Sequence, residues 1–195
     1  MSKNLQRLNL GAGRDIKTGF LNHDIAPLSG IDIVADLNSY PWPWSDDSID
    51  EILANDLLEH LDNFLPAMEE IYRILKPGGL VKLSVPYWNS CSRYIDPTHK
   101  MGFHEDTFKF FDPVFHHCQE RSYYTKARFS IVKETFVIMP FYPYFWIPKT
   151  SEIRVSNRVL KRLLGFVGNV LISNLILGLD VEMKKISLSK QENNS

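Results

Sequence analysis

Cysteine is scarce: Cys91 and Cys118 are the only two in 195 residues, and their spacing makes neither a redox pair nor a metal knuckle. A disulfide-stapled secreted fold is therefore not expected. The start, MSKNLQRLNL, has no apolar core of signal-peptide length, so the setting expected is reducing and cytoplasmic. Charge of one sign is also lacking. With a formal net charge of -1 and no block of Lys or Arg, no nucleic-acid partner is expected. Long hydrophobic runs are missing except for Leu163 to Leu179, which is short for a membrane span and interrupted by Asn169, Ser173 and Asn174.

What is present suits one well-buried core, since hydrophobic residues make up 44% and charged residues 23% of the chain. A single domain over residues 1–195 is expected, with a polar, disordered end in SLSKQENNS. Short apolar runs bounded by Gly, Pro or Asp read as strands: LQRLNL, GFLNHDI, IDIVADL, IDEILA and LVKLSVP. Between the last two, Phe64, Met68, Ile71, Tyr72 and Leu75 share one helical face, with Asn63 as a cap and KPGG as the stop. A strand, helix and strand of these lengths predict a right-handed parallel crossover, hence an α/β sheet with ligand sites at the strands' carboxyl ends. RFSIVKETFVIM and DVEMKKI continue the strand pattern, separated by an insertion at about 140–179.

Gly11 and Gly13 follow the first strand, where they allow a sharp turn and close approach of backbone to a ligand. Asp24 ends the second strand, where a carboxylate can accept both hydroxyls of a ribose, and Asp36 ends the third, where it can accept an exocyclic amine. A nicotinamide dinucleotide site would want a third glycine, a full helix and an acid some twenty residues on. Lys17 stands at the third-glycine position and the acid comes too early. A nucleoside ligand without phosphates fits better.

LNLGAG, NHDI, VADL, IDEILANDLLEHL and IYRILKPGGLVKLSVP together resemble the class I S-adenosylmethionine-dependent methyltransferases, in particular the small bacterial type 11-like branch with a shortened first connection. The resemblance implies a Rossmann-like α/β fold: a mostly parallel seven-stranded sheet, helices on both faces and an antiparallel final hairpin. It also implies S-adenosyl-L-methionine as cofactor, and residues 1–86 as the half that binds it. Gly11, Ala12 and Gly13 match the glycine motif beside the methionine part, Asp24 the ribose acid, Asp36 with Leu37 the adenine pair, and Asn55 with Asp56 the loop near the sulfonium. The first helix is nearly absent, with RDIKTGF in its place, and Arg14 is a candidate contact for the methionine carboxylate.

Residues 87–195 are expected to build the acceptor site, for a small-molecule or glycan-type acceptor methylated at oxygen. Deprotonating a hydroxyl needs a base, and His is tuned for that near neutral pH. Of six histidines, His99 and then His104, in RYIDPTHKMGFHEDTFKFFD, are the catalytic candidates, with Asp96 placed to orient an imidazole. His60 reads as structural support. HHC at His116 to Cys118 lacks a zinc-site partner, and no metal is expected. The insertion is aromatic at MPFYPYFWIP and then amphipathic, with Arg158, Lys161 and Arg162 near its start; it suits a lid, a homodimer surface or peripheral membrane contact through 153–179. Alternatives left open are a non-catalytic scaffold or partner subunit with the same fold, and, disfavoured by the glycine loop, a nicotinamide-dependent oxidoreductase.

Overall fold

The computed structural model describes residues 5–138 and 152–187, so the aromatic stretch at 139–151 and nearly all of the polar end lie outside the described residues. Strands β1 (Arg7–Leu10), β2 (Leu21–Asp24), β3 (Ile33–Val34), β4 (Ile49–Asn55) and β5 (Leu75–Pro86) run parallel. Beyond them come β6 (Phe129–Ile138), β7 (Ile153–Val155) and β8 (Gly178–Lys185), giving the order β3-β2-β1-β4-β5-β8-β6-β7. β8 runs antiparallel to both β5 and β6. The short β7 adds an eighth, edge strand to the seven expected, antiparallel to β6. The third strand is shorter than IDIVADL suggests, because pairing ends at Val34 and Asp36 lies two residues beyond it.

Alternation decides which face of the sheet is dry. Leu8, Leu10, Ile52, Ala54, Val81, Leu83, Leu179, Val181 and Met183 point into one core. Helix α1 (Phe64–Ile74) closes it with Ala67, Met68, Ile71 and Ile74. Asn63 occupies the N-cap position without capping through its side chain. The helix stops at Ile74 and Leu75 is already extended, ahead of a bulge at Pro77-Gly78-Gly79 in which Gly78 takes φ +77°. Helix α2 (Arg158–Phe166) lies on the same face through Lys161, whose Nζ is 2.9 Å from Glu134 Oε2, and Gly165, beside Phe136.

The opposite face carries a ladder of alternating charge in place of helices after β1 and β2. Arg7 reaches Glu51 at 3.4 Å, Lys82 reaches Glu51 at 2.7 Å, and Lys133 reaches Glu182 at 4.0 Å. Such half-exposed pairs contribute little stability each and keep the face wet.

Two buried asparagines do the work of the missing first helix. Asn9 Nδ2 donates to Asp15 O at 2.9 Å and to Asn22 Oδ1 at 3.0 Å. Asn22 Oδ1 also accepts the Lys17 N–H at 2.9 Å, while its Nδ2 donates to Lys17 O and Phe20 O, both at 3.2 Å. The connection 11–20 thus closes on side-chain amides pointing out of β1 and β2. Next to Asn22, His23 is 1% exposed, bonds Ala35 O through Nε2 at 3.0 Å and meets Trp44 edge-on. Burial holds its pKa below the ordinary imidazole value.

Replacing Asn22 with Ala strips these partners at once and should destabilise the protein by about 2–3 kcal/mol in urea unfolding; a loss below ~0.5 kcal/mol would show that the connection closes without it. The depressed His23 pKa has a definite sign: as pH falls through about 6.5 the unfolded chain takes up a proton that the folded chain refuses, so stability is lost on the acid side. Between about pH 7 and pH 5 the melting temperature of the native protein should fall further than that of His23→Gln; parallel curves would contradict the assignment.

Candidate functional site

Parallel strands put the carboxyl ends of β1 to β5 on one rim. Gly11 and Gly13 leave β1 with φ +63° and +52°, where a side chain would be strained, and a Cβ on Gly11 would come within 3.0 Å of Leu57 Cδ1. Between them Ala12 is buried and donates its N–H to His23 O at 2.8 Å. Asp24 grips the same turn: Oδ2 accepts the Gly13 N–H at 2.8 Å and Oδ1 accepts the Ala26 N–H at 2.9 Å. Each oxygen keeps a further lone pair.

Asp36 stands exposed two residues past β3, its Oδ1 accepting the Asn38 N–H at 2.9 Å. Leu37 is buried beside it and its carbonyl accepts the Trp42 indole N–H at 3.0 Å. Asn55 ends β4 and Asp56 turns away at φ +48°, its N–H donating to Ser84 O at 2.9 Å. Both side chains are exposed on the rim. A glycine turn lacking Cβ atoms, a half-buried acid at the next strand end, and a further acid beside a buried leucine fit a nucleoside carrying an amino-acid tail. Arg14 is exposed on the same turn.

The two histidines expected to be catalytic occur in different networks. His99 joins Glu59 and His60: His99 Nε2 is 3.9 Å from Glu59 Oε1, and the two imidazole rings meet edge-on with centroids 4.6 Å apart. Glu59 and His60 lie on the 3-10 turn Leu58–His60, just past Asp56. Asp96 does not orient His99 through its carboxylate. Its Oδ1 accepts both the N–H and the hydroxyl of Thr98, at 2.8 and 2.6 Å, and the Thr98 hydroxyl oxygen is 2.8 Å from His60 Nδ1. The Thr98 proton being committed to Asp96, Nδ1 of His60 is the donor and its lone pair sits on the other nitrogen.

Glu59 is fully buried, and among the described residues no other residue's donor reaches either carboxylate oxygen. Burial pushes its pKa up to about 8, opposed in part by its own backbone N–H, with Asp56 and Asp96 adding to the rise. His60 is held below the ordinary imidazole value by burial and then by His99.

His104 belongs with Tyr87, Glu105 and Asn169. Its Nδ1 accepts the Asp106 N–H at 3.1 Å, and its Nε2 is 3.3 Å from Glu105 Oε2 and 3.4 Å from Asn169 Nδ2. The Tyr87 hydroxyl donates to Glu105 at 2.5 Å, which with burial raises the phenol's pKa. Asn169 also accepts the Trp88 indole N–H at 3.1 Å. Both ring nitrogens of His104 are thus engaged, Nδ1 in a local turn to Asp106 and Nε2 beside Glu105 and Asn169 of the π-turn Val167–Leu171.

Glu59, Thr98 and the Asn9–Asn22 pair are the members that the sequence reading passed over. An acid inside the apolar run LLEHL was the available sign for Glu59.

Residues 12–83 match the family model described as a methyltransferase domain, a span holding Ala12, Gly13, Asp24, Asp36 and the Glu59–His60 turn and ending before His99. Among solved structures, a SAM-dependent methyltransferase from Archaeoglobus fulgidus is 22% identical, with 93% of this chain and 86% of that one covered at TM-score 0.60. A SAM-dependent methyltransferase from Thermotoga maritima, described as a possible histamine N-methyltransferase, is 12% identical over 92% of this chain and 82% of that one, at TM-score 0.57. An S-adenosylmethionine-dependent methyltransferase from Mesorhizobium loti is 14% identical over 92% and 90%, at TM-score 0.52. No curated protein matches. At these identities the structural likeness is one of fold, and it agrees with the strand order, the reversed β8 and the matched domain. Residues 12–83 thus match a methyltransferase domain, within a fold that the chain shares with S-adenosylmethionine-dependent methyltransferases.

Proposed function

We propose that this methyltransferase acts on an oxygen of a small or glycan-type acceptor, with the rim from Gly11 to Asp56 as cofactor site and His99 as the base. The observation that carries the reading is the grip of Asp24 on the Gly13 amide, which holds the acid of β2 and the glycine turn of β1 as one unit. Gly11, Ala12 and Gly13 run beside the methionine part, with Arg14 near its carboxylate. Asp24 accepts the ribose hydroxyls through its remaining lone pairs, Asp36 and Leu37 hold the adenine, and Asn55 and Asp56 flank the sulfonium. S-Adenosylmethionine supplies an electrophilic methyl group. The chain's part is to align the acceptor, exclude water and remove the hydroxyl proton. His99 suits the last task better than His104, whose nitrogens are both taken.

Outside the rim, α2 carries a large outward apolar stripe. Lys161, Leu164 and Gly165 face the sheet, while Val159, Leu163, Phe166 and, just beyond the helix, Val170 are 76%, 59%, 60% and 63% exposed. Arg158 and Arg162 are exposed on the same helix. An outward apolar stripe beside cations favours peripheral contact with an anionic membrane, in keeping with a lipid-linked glycan acceptor. Among the described residues no helix is long and apolar enough to cross a membrane.

Calorimetric titration with S-adenosylhomocysteine should give micromolar-range binding that Asp24→Asn weakens at least about tenfold, each acidic contact being worth on the order of 1.5 kcal/mol or more. His99→Gln should leave that affinity unchanged and lower turnover by about 100-fold or more. A folded native protein that does not bind would shift the reading to the scaffold. In liposome flotation with anionic vesicles the native protein should rise and Phe166→Glu should not; a native protein that stays at the bottom overturns the membrane contact.

A further inference from the structure

Glu59 poses a problem that the cofactor rim does not solve. Its carboxyl group is completely buried, beside two imidazoles, with no donor from any other described residue. A buried carboxyl group without a partner is costly, and native proteins resolve that cost by protonation, with a pairing group or with an ion. Lys100 does not serve: it gives its backbone N–H to Glu59 O at 2.7 Å, but its ammonium pairs with Asp62.

We propose that Glu59, His60 and His99 bind a divalent transition-metal cation of the zinc class. One donor atom from each residue lies within 4.8 Å of the other two. Metal–ligand distances of about 2.0–2.2 Å place neighbouring ligand atoms roughly 3–3.5 Å apart. The 3.9 Å between His99 Nε2 and Glu59 Oε1 therefore needs closing by about half an ångström, and the other pairs, all within 4.8 Å, by up to roughly 1.5 Å, through side-chain rotation. The surroundings are those of a built site. Metal-binding imidazoles usually donate their other nitrogen to a fixed acceptor, and His60 does so to Thr98, itself held by Asp96. Adjacent residues chelate poorly from an extended loop, but Glu59 and His60 stand on a 3-10 turn that points both side chains at His99.

Two imidazoles and one carboxylate favour zinc, cobalt or iron over magnesium and calcium, which prefer all-oxygen shells. Three protein ligands leave an open position. Since Glu59 follows Asn55 and Asp56 by a few residues, that position lies next to the expected place of methyl transfer. With a cation bound, His99 would serve as a ligand and not as the base, so the two roles are alternative uses of one imidazole. Metal binding itself does not depend on the methyl-transfer reading.

The test is titration of chelator-treated protein with cobalt(II), read by its visible ligand-field absorption, with circular dichroism confirming that each variant is folded. The native protein should bind one equivalent, displaced by zinc. His99→Ala and Glu59→Gln should lose the spectrum, and Thr98→Val should weaken binding about tenfold or more. No spectrum from the folded native protein, or an unchanged one from folded His99→Ala, overturns the site; the latter would point to the neighbouring pair His116 and His117. S-Adenosylhomocysteine binding on the same sample separates the two claims, because a protein that binds it but not cobalt lacks only the metal, and one that binds cobalt but not it loses only the methyltransferase reading.

Discussion

The closure of residues 11–20 on the side chains of Asn9 and Asn22 is the constraint from which the rest of the rim follows. A connection of that length without a helix has no ladder of its own to satisfy its backbone, and buried amides without partners are costly. The two carboxamides supply those partners from inside the sheet, so the turn is fixed by β1 and β2 together with its own two bonds, Asp15 N–H to Ala12 O and Phe20 N–H to Lys17 O. Because Asn22 is two residues before Asp24, the element that closes the loop also sets the acid that grips Gly13. Glycine turn, acid and strand ends then move as one body.

The same economy shapes the sheet. With no helices after β1 and β2, one face must meet water, and its row of Arg7, Glu51, Lys82, Glu182 and Lys133 alternates in sign so that neighbours attract. The other face holds the core, and the aromatics after β5, Tyr87, Phe103, Phe108 and Phe111, are buried against it. That packing brings Thr98 and His99 back over the turn after β4. On the reading proposed above, the acceptor side of the site is assembled by long-range packing and the cofactor side by adjacent strands.

This difference explains what could be read in advance. β1, β2, β4 and β5, and the glycines and acids at their ends, announce themselves because alternation and turn residues are local signals. Asp36 was placed correctly on the rim though its strand was drawn too long, since ADL carries strand-like residues after pairing has ended. β7 was missed because three residues, one of them Arg154, carry no period to recognise. LLEHL gives no sign of which side faces in, which hides Glu59, and the bond between His60 and Thr98 spans 38 positions, beyond any local signal. Asp96 was rightly linked to an imidazole, but it reaches His60 through Thr98 and not His99.

The central claim is that a helix-free turn, held by two asparagines and one aspartate, is the cofactor's seat. The most direct test is to follow backbone amide resonances of the isotopically labelled protein while S-adenosylhomocysteine is added. Saturable shifts concentrated at Gly11, Ala12, Gly13, Asp24, Asp36 and Leu37 are predicted. Shifts confined to other parts of the chain, or none at saturating ligand, would contradict it.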